Sequence, residues 1–208
     1  MKQTFTTFIA VICLLSMAAQ TSAQKKCDFS VKASAELVSN YIWRGVPSYS
    51  FNNEQTVLAP NFQPTLGFVM GGFEIGAWGS SDFSGSYKEM DLYASYTFKN
   101  VTATLTDYYW DLNWLSKPYF AYKNESSSHI LEGTLLYKSS KIPLSITLAT
   151  MFYGADKKVD DASKTNYSTY LEFAYTFTKN DYSFDTFLGM TPADGFYGEA
   201  MAMLPVSV

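Results

Sequence analysis

The sequence predicts an all-β protein: a transmembrane antiparallel up-and-down β-barrel, with about nine to ten strands in this chain, preceded by a signal peptide. Nine stretches alternate apolar and polar residues, and a period of two residues indicates β-strands. The connections between them alternate short and long, which indicates antiparallel neighbours with tight turns on one side and larger loops on the other. Both features follow a segment with the pattern of an export signal.

Residues 1–23 are expected to be a secretory signal peptide, so that 24–208 form a single β-barrel domain. Lys2 supplies the positive start, Phe8 to Ala19 form an apolar run, and Thr21-Ser22-Ala23 have the small side chains of a cleavage site. The apolar run is too short to cross a membrane comfortably as a helix.

Composition narrows the class of protein further. The net charge of −4 argues against nucleic-acid binding, and aromatic residues make up 17% of the chain, about twice ordinary usage. Cys27 is the only cysteine after cleavage, so no internal disulfide is expected. The chain contains no CxxC, HExxH or phosphate-binding glycine loop, and we expect no cofactor, no metal site and no enzymatic activity. Two classes of protein remain compatible with this composition, a secreted β-sandwich and an outer-membrane barrel.

The strands are expected in nine places along the chain. The first is the longest and exceeds a typical sandwich strand, whereas it could cross a membrane obliquely. A tenth strand could come from Glu199 to Val208, but Pro205 interrupts it, so the barrel is expected to be truncated at its C-terminus. The nine predicted strands are Phe29–Arg44, Leu66–Met70, Phe73–Ala77, Glu89–Phe98, Val101–Trp110, His129–Tyr137, Ile142–Phe152, Tyr167–Phe177 and Tyr182–Met190.

One face of these strands is polar, and in a membrane barrel that face points inward. Acidic residues outnumber basic ones there, so a water-filled lumen would favour cations. Alternatively, a narrow barrel is filled by its own side chains and the charges pair structurally, Arg44 with Glu89 or Asp91. The candidate lumen residues are Lys32, Glu36, Asn40, Arg44, Glu74, Glu89, Asp91, Glu132, Glu172 and Asp185.

Aromatic residues cluster at the two ends of the predicted strands. Amphipathic rings settle at headgroup depth, so two clusters separated by an aliphatic band predict two membrane–water interfaces and lipid as a partner. Tyr and Phe are also good strand formers, but propensity alone does not explain clustering at strand ends. The predicted girdle residues are Trp43, Trp78, Tyr96, Phe98, Tyr109, Trp110, Tyr137, Phe152, Tyr167, Tyr175, Phe177 and Tyr182.

Two residues do not follow the pattern simply. Asp107 shares the parity of the apolar side of its strand, so either it lies at the membrane interface or a bulge reverses the parity. His129, the only histidine, could be the general base of a lipid hydrolase. Ser128 and His129 point to opposite faces of a strand, however, so an interfacial role for His129 is favoured.

The stretch Ser39-Asn40-Tyr41-Ile42-Trp43-Arg44-Gly45 resembles the signature of the TorF-family porins of Gram-negative bacteria. Ala77-Trp78-Gly79-Ser80 and Glu89-Met90-Asp91-Leu92-Tyr93 agree with it, and the resemblance covers roughly Phe29 to Met190. It implies a bacterial outer-membrane barrel, with about twelve strands in a complete member, and a passive channel for small polar or ionic solutes. The alternative is a non-conducting barrel with a structural or loop-mediated binding role.

Overall fold

The computed structural model describes residues 29–47, 59–83, 87–110, 119–123 and 127–198, and the backbone of 203–204. The expected signal peptide and Cys27 lie outside these residues, as do most of the residues considered for a tenth strand. The described part of the chain holds no helix that is long and apolar enough to cross a membrane.

The described strands form one antiparallel sheet of ten strands, whose spatial order follows the chain, and a separate two-stranded hairpin. The hairpin pairs β2 (Ile42–Trp43) with β3 (Val46–Pro47). Each of the nine long strands overlaps a predicted one, which confirms the all-β, up-and-down arrangement, although β4 and β5 are each five residues longer than predicted. The sheet consists of β1 (Phe29–Val38), β4 (Asn61–Met70), β5 (Phe73–Asp82), β6 (Lys88–Phe98), β7 (Val101–Tyr109), β8 (His129–Lys138), β9 (Leu144–Gly154), β10 (Thr169–Lys179), β11 (Tyr182–Met190) and β12 (Met203–Leu204).

The first predicted strand is too long, because β1 ends at Val38 and the chain then bends at Ser39 and Asn40. Arg44 and Gly45 follow with φ angles of 50° and 78°. Positive φ at two successive central residues is the geometry of a primed hairpin turn, which here joins β2 to β3. The end of the predicted strand is therefore a separate hairpin.

The predicted barrel is not closed in the described part of the chain. There, β1 pairs only with β4, and β12 meets β11 through two residue pairs, Gly189 with Leu204 and Met190 with Met203. No described pairing joins the two ends of this ladder. What the structure shows is an open sheet with two edge strands.

The two faces of the sheet are inverted relative to a water-soluble protein. Along β7, Val101, Ala103 and Leu105 are exposed, whereas the threonines between them are half-buried. A soluble sheet covers its apolar side and leaves its polar side to water. Here the face with large apolar side chains is open, and we call it the outer face; the polar side is the inner face.

The sheet curls around the chain segment 41–44. The Tyr41 ring lies 5.4 Å from that of Trp78 in β5, and the Arg44 guanidinium lies 4.8 Å from the ring centre of Tyr170 in β10. These two strands are five strand spacings apart in the sheet, yet one segment of four residues contacts both. The Arg44 side chain is only 12% exposed although the described strands form a single layer. The inner face is therefore concave around this segment.

Two glycines on the inner face lie beneath tyrosine rings. A Cβ added at Gly76 would come within 2.7 Å of the carbonyl oxygen of Leu66 and closer still to the Tyr93 hydroxyl. A Cβ at Gly189 would lie 2.5 Å from the Tyr170 hydroxyl. The absence of a side chain lets each ring lie close against the neighbouring strand.

We expect Gly76→Ala to lower the free energy of unfolding by about 1–3 kcal/mol, because its Cβ meets backbone that must shift. Gly79→Ala, in the same strand, is the control, since its Cβ would meet nothing closer than the Glu89 carbonyl oxygen at 3.4 Å. Urea unfolding of detergent-refolded protein, followed by tryptophan fluorescence, measures both. Equal losses in the two variants would contradict the ring-over-glycine account.

Candidate functional site

A buried ion pair joins the β2–β3 hairpin to the middle of the sheet. Arg44 Nη1 donates to Glu132 Oε2 at 2.5 Å and Arg44 Nη2 donates to Glu132 Oε1 at 2.9 Å, so the pair is bidentate. The side chain of Glu132 is fully buried and that of Arg44 is 12% exposed. Arg44 lies in a turn after the first strand and Glu132 lies in β8, so the ion pair connects residues that are distant in sequence across the inner face.

The Glu132 carboxylate accepts further hydrogen bonds from three neighbours. Tyr108 donates to Oε1 at 3.0 Å, Thr134 donates to Oε1 at 2.9 Å, and Tyr197 donates to Oε2 at 3.3 Å. Burying a charge costs several kcal/mol unless its bonding capacity is met. The number of donors around Glu132 shows that this requirement is met on the carboxylate side.

Aromatic rings enclose the guanidinium of Arg44. Its Cζ lies 4.6 Å from the Trp43 ring centre, 4.8 Å from that of Tyr170 and 5.7 Å from that of Tyr197. Cation–π contacts of this kind gain strength when water is excluded. The rings belong to a larger packed group that we call the inner aromatic cluster: Trp43, Tyr108, Trp110, Tyr170, Phe196 and Tyr197, together with Ile130, Ala149 and Met151.

The expected pairing of Arg44 with Glu89 or Asp91 is wrong, since Arg44 pairs with Glu132. The reason is the hairpin turn, which carries the Arg44 side chain past β6 to β8. Glu89 instead accepts a hydrogen bond from Tyr87 at 2.5 Å. One oxygen of the buried Asp91 carboxylate, Oδ1, has no hydrogen-bond partner among the described residues.

Two tyrosines beside these acids remain protonated. Burial, and after it the charges of Glu89 and Asp91, raise the pKa of Tyr41 well above its ordinary value. Burial and the charge of Glu89 likewise raise the pKa of Tyr87. A raised phenol pKa keeps the proton on the oxygen at neutral pH, so both side chains stay neutral and serve as donors.

Four other candidate lumen residues lie near the first strands. Lys32 Nζ and Glu74 Oε2 form an ion pair at 2.7 Å, but the Lys32 side chain is 61% exposed. Glu36 stands opposite Gln63 in the β1–β4 ladder, and Asn40 lies in the bend after β1. The structure brings the first two together and gives the others no common site.

The last two candidates lie on the inner face of β10 and β11. Glu172 accepts a hydrogen bond from Tyr170 at 2.6 Å, and Asp185 accepts one from Thr176 at 2.6 Å. Beside Asp185 and Thr176 is a cavity of about 350 Å³, which Lys138 also lines. The inner face thus has free volume towards the tight turns, whereas the inner aromatic cluster packs the end towards the loops.

Most of the predicted girdle aromatics are exposed, but three tryptophans are not on the outer face. Trp78 shares the inner parity of Glu74 and Gly76, and Trp43 and Trp110 belong to the inner aromatic cluster. The prediction grouped aromatics by their position along the strand and neglected this parity. Tyr175 packs on Phe177 with ring centres 4.6 Å apart. The exposed residues are Tyr96, Phe98, Tyr137, Phe152, Tyr167, Phe177 and Tyr182.

Asp107 and His129 form a second polar cluster, at the loop end of the outer face. His129 Nδ1 lies 2.8 Å from Asp107 Oδ1, and Tyr122 donates to Asp107 Oδ2 at 2.7 Å. The β6–β7 register is continuous up to Asp107 and the β7–β8 register runs through it, so its outer parity is real and no bulge reverses it. Burial, followed by the hydrogen bond to Asp107, raises the pKa of Tyr122.

The same cluster fastens residues 119–123 over the sheet. His129 Nε2 contacts the carbonyl oxygen of Tyr119, the Tyr122 ring stacks on His129 at 4.0 Å, and Tyr153 donates to the Tyr122 carbonyl at 2.5 Å. Tyr109, a predicted girdle residue, is buried beneath this segment. Both ring nitrogens of His129 are engaged, so this geometry holds a loop and offers no free base to a serine.

The main feature that sequence reasoning missed is the set of rings around Arg44. Tyr170 has the same parity as Glu172, and an aromatic residue on a polar face was a usable signal for an inward ring. Tyr197 follows the last long strand, and no local pattern indicates that it reaches Glu132. The partner of Arg44 depends on the hairpin turn and is not encoded in strand periodicity.

Comparisons with known proteins found no match to this chain among protein-family models, curated proteins or solved structures. The resemblance to TorF-family porins therefore stays an expectation from the sequence. The function has to be argued from the geometry of the inner and outer faces.

We expect Glu132→Ala to lower the free energy of unfolding by about 3–5 kcal/mol, because it leaves Arg44 buried without its partner. Lys32→Ala removes one member of the exposed ion pair and should cost at most about 1 kcal/mol. Urea unfolding in detergent measures both variants. A small effect of Glu132→Ala, comparable to that of Lys32→Ala, would show that the buried pair does not hold the hairpin.

Proposed function

We propose that this protein is an outer-membrane β-barrel with a porin-like role, the passive passage of small polar or ionic solutes. Its polar inner face would line the path, and the Arg44–Glu132 pair with the inner aromatic cluster would constrict it. The single observation that carries this proposal is the inversion of the faces, with apolar side chains outside and charged ones inside. The TorF resemblance agrees with it.

The outer face supports membrane insertion. Leu66, Phe68, Leu105 and Leu135 each expose 40% or more of their surface, although they lie within strands of a continuous sheet. An apolar surface of this extent is unfavourable in water and favourable against acyl chains. An unpaired strand edge in lipid is costly, so the proposal includes closure of the ring in the membrane by pairing between the two edge strands of the sheet.

The inner face supports a path for cations. The carboxylates Glu74, Glu172 and Asp185 lie on it, and fixed negative charge in a narrow polar passage attracts cations. The cavity beside Asp185 gives room at the tight-turn end. At the other end, Arg44 occupies the space between β8 and β10. The path is therefore wide at one end and obstructed at the other.

A second candidate function is a non-conducting barrel that binds through its loops. It is favoured by Phe120, which is 82% exposed although its neighbours Tyr119 and Tyr122 are fastened to His129. A rigidly held, outward aromatic ring at the loop end could contact a sugar or a lipid headgroup region. In this case the inner aromatic cluster would be a permanent core.

Conductance in planar lipid bilayers separates the two functions. We expect stepwise currents of low conductance from the wild-type protein and severalfold larger ones from Arg44→Gly, because the substitution removes the obstructing side chain. Glycine is also well suited to the φ of 50° at this position. Lys32→Ala, which removes an equal charge outside the cluster, should not enlarge the steps.

Bilayers that stay sealed with folded wild-type protein and with folded Arg44→Gly would contradict the porin-like function. That result would favour the loop-binding candidate, since removal of the obstruction would then open no path.

A further inference from the structure

The surroundings of Arg44 contain the parts of a complete recognition site for a planar cation. The Glu132 carboxylate binds two nitrogens of the guanidinium, and the rings of Trp43, Tyr170 and Tyr197 lie around it. A carboxylate fork with surrounding aromatic rings is the arrangement that selects a guanidinium over a spherical ion. We call Glu132 and these three rings the cation cage.

Three of the four members of the cation cage lie outside the hairpin that brings Arg44: two are in the sheet, and Tyr197 follows β11. Glu132 lies in β8 and Tyr170 lies in β10. Tyr108, in β7, holds the carboxylate in place through its hydrogen bond. Only Trp43 comes from the hairpin itself. The cage would therefore retain its carboxylate and two of its rings if Arg44 withdrew.

The hairpin that carries Arg44 is weakly held by its own backbone. Its ladder consists of two residue pairs, Ile42 with Pro47 and Trp43 with Val46. Arg44 itself has a φ of 50°, a conformation that costs a residue with a side chain about 1–2 kcal/mol. The hairpin is thus secured chiefly through the side chains that it places in the inner aromatic cluster.

We infer that the cation cage is a binding site for small solutes bearing a guanidinium group, and that Arg44 occupies it as a tethered competitor. This inference rests on the proposed function, for which it names the class of solute. A free guanidinium that takes the place of Arg44 leaves Glu132 paired and releases the hairpin from the path. The charge in the cage is the same before and after the exchange.

The tether sets the concentration at which a solute competes. A group on a short linker has an effective concentration in the millimolar range, so the wild-type cage responds only to solutes at comparable or higher levels unless they bind more tightly. Arg44→Gly removes this competitor without straining the turn, because glycine adopts positive φ freely. Binding to the empty cage then becomes directly measurable.

The test uses full-length Arg44→Gly protein folded in detergent and low-millimolar guanidinium chloride as the probe. Guanidinium at ten times its dissociation constant should raise the Tm by about 3–6 °C. Urea, which is planar and of similar size but neutral, should give no rise at the same concentration, and sodium chloride controls for ionic strength. Arg44→Gly/Glu132→Gln is the matched variant, in which guanidinium should give no rise either.

Equal responses to guanidinium and urea, or an undiminished response in the double variant, would overturn the inference. If Arg44→Gly does not fold alone, its refolding yield with and without the same probes replaces the Tm: rescue by guanidinium but not by urea supports the inference, and rescue by neither overturns it. These measurements need no conducting pore. If the protein binds guanidinium but never conducts in bilayers, the porin-like function is refuted and the cation cage remains a binding site.

Discussion

The structure depends on one constraint: its polar side chains lie on the enclosed face of a curled sheet, and its apolar side chains lie on the open one. Leu105 and Leu135 are about half exposed, whereas Glu132 and Glu89 on the inner face are buried. Burying charged groups is costly unless each one finds partners. The hydrogen bonds and ion pairs to these buried groups meet that requirement, and they fix the positions of the chain segments that supply the partners.

The Arg44–Glu132 pair shows how the constraint is met inside the sheet. The carboxylate has five donor contacts, two from Arg44 and one each from Tyr108, Thr134 and Tyr197. Because Arg44 lies near the beginning of the described chain and Tyr197 near its end, one buried charge connects segments that share no strand pairing. These contacts hold the hairpin against the inner face of the sheet.

On the outer face, charged groups are instead covered by a loop segment. Asp107 has the parity of the apolar side, and the structure surrounds it with His129 and Tyr122 at the loop end. The loop segment 119–123 covers these polar groups, so that little charge remains on the outer face there. Asp107, an acid on the apolar side of its strand, thereby helps to hold segment 119–123 over the strands.

The sequence allowed the strands and their faces to be predicted, because a two-residue period depends only on local backbone geometry. The first residues of β7 and β10 were predicted to within two residues: β7 begins at Val101 as predicted, and β10 begins at Thr169 where Tyr167 was predicted. The hairpin after β1 was not predicted, because arginine rarely adopts the positive φ that Arg44 has in its turn. The choice of Glu132 over Glu89 was missed as well, because it depends on curvature, and curvature arises from distant contacts. Parity alone, applied to Trp78, would have corrected part of the girdle.

The most direct test of the inverted faces is a nitroxide scan along β7 in a Cys27→Ser background, with the protein reconstituted in lipid vesicles. Relaxation by oxygen, which concentrates in acyl chains, should be strong at Ala103 and Leu105 and weak at Thr104 and Thr106. A water-soluble nickel chelate should not reach the first pair. Strong relaxation of a label at Leu105 by the chelate, with no response to oxygen in the lipid, would contradict the account, because the apolar face would then lie in water.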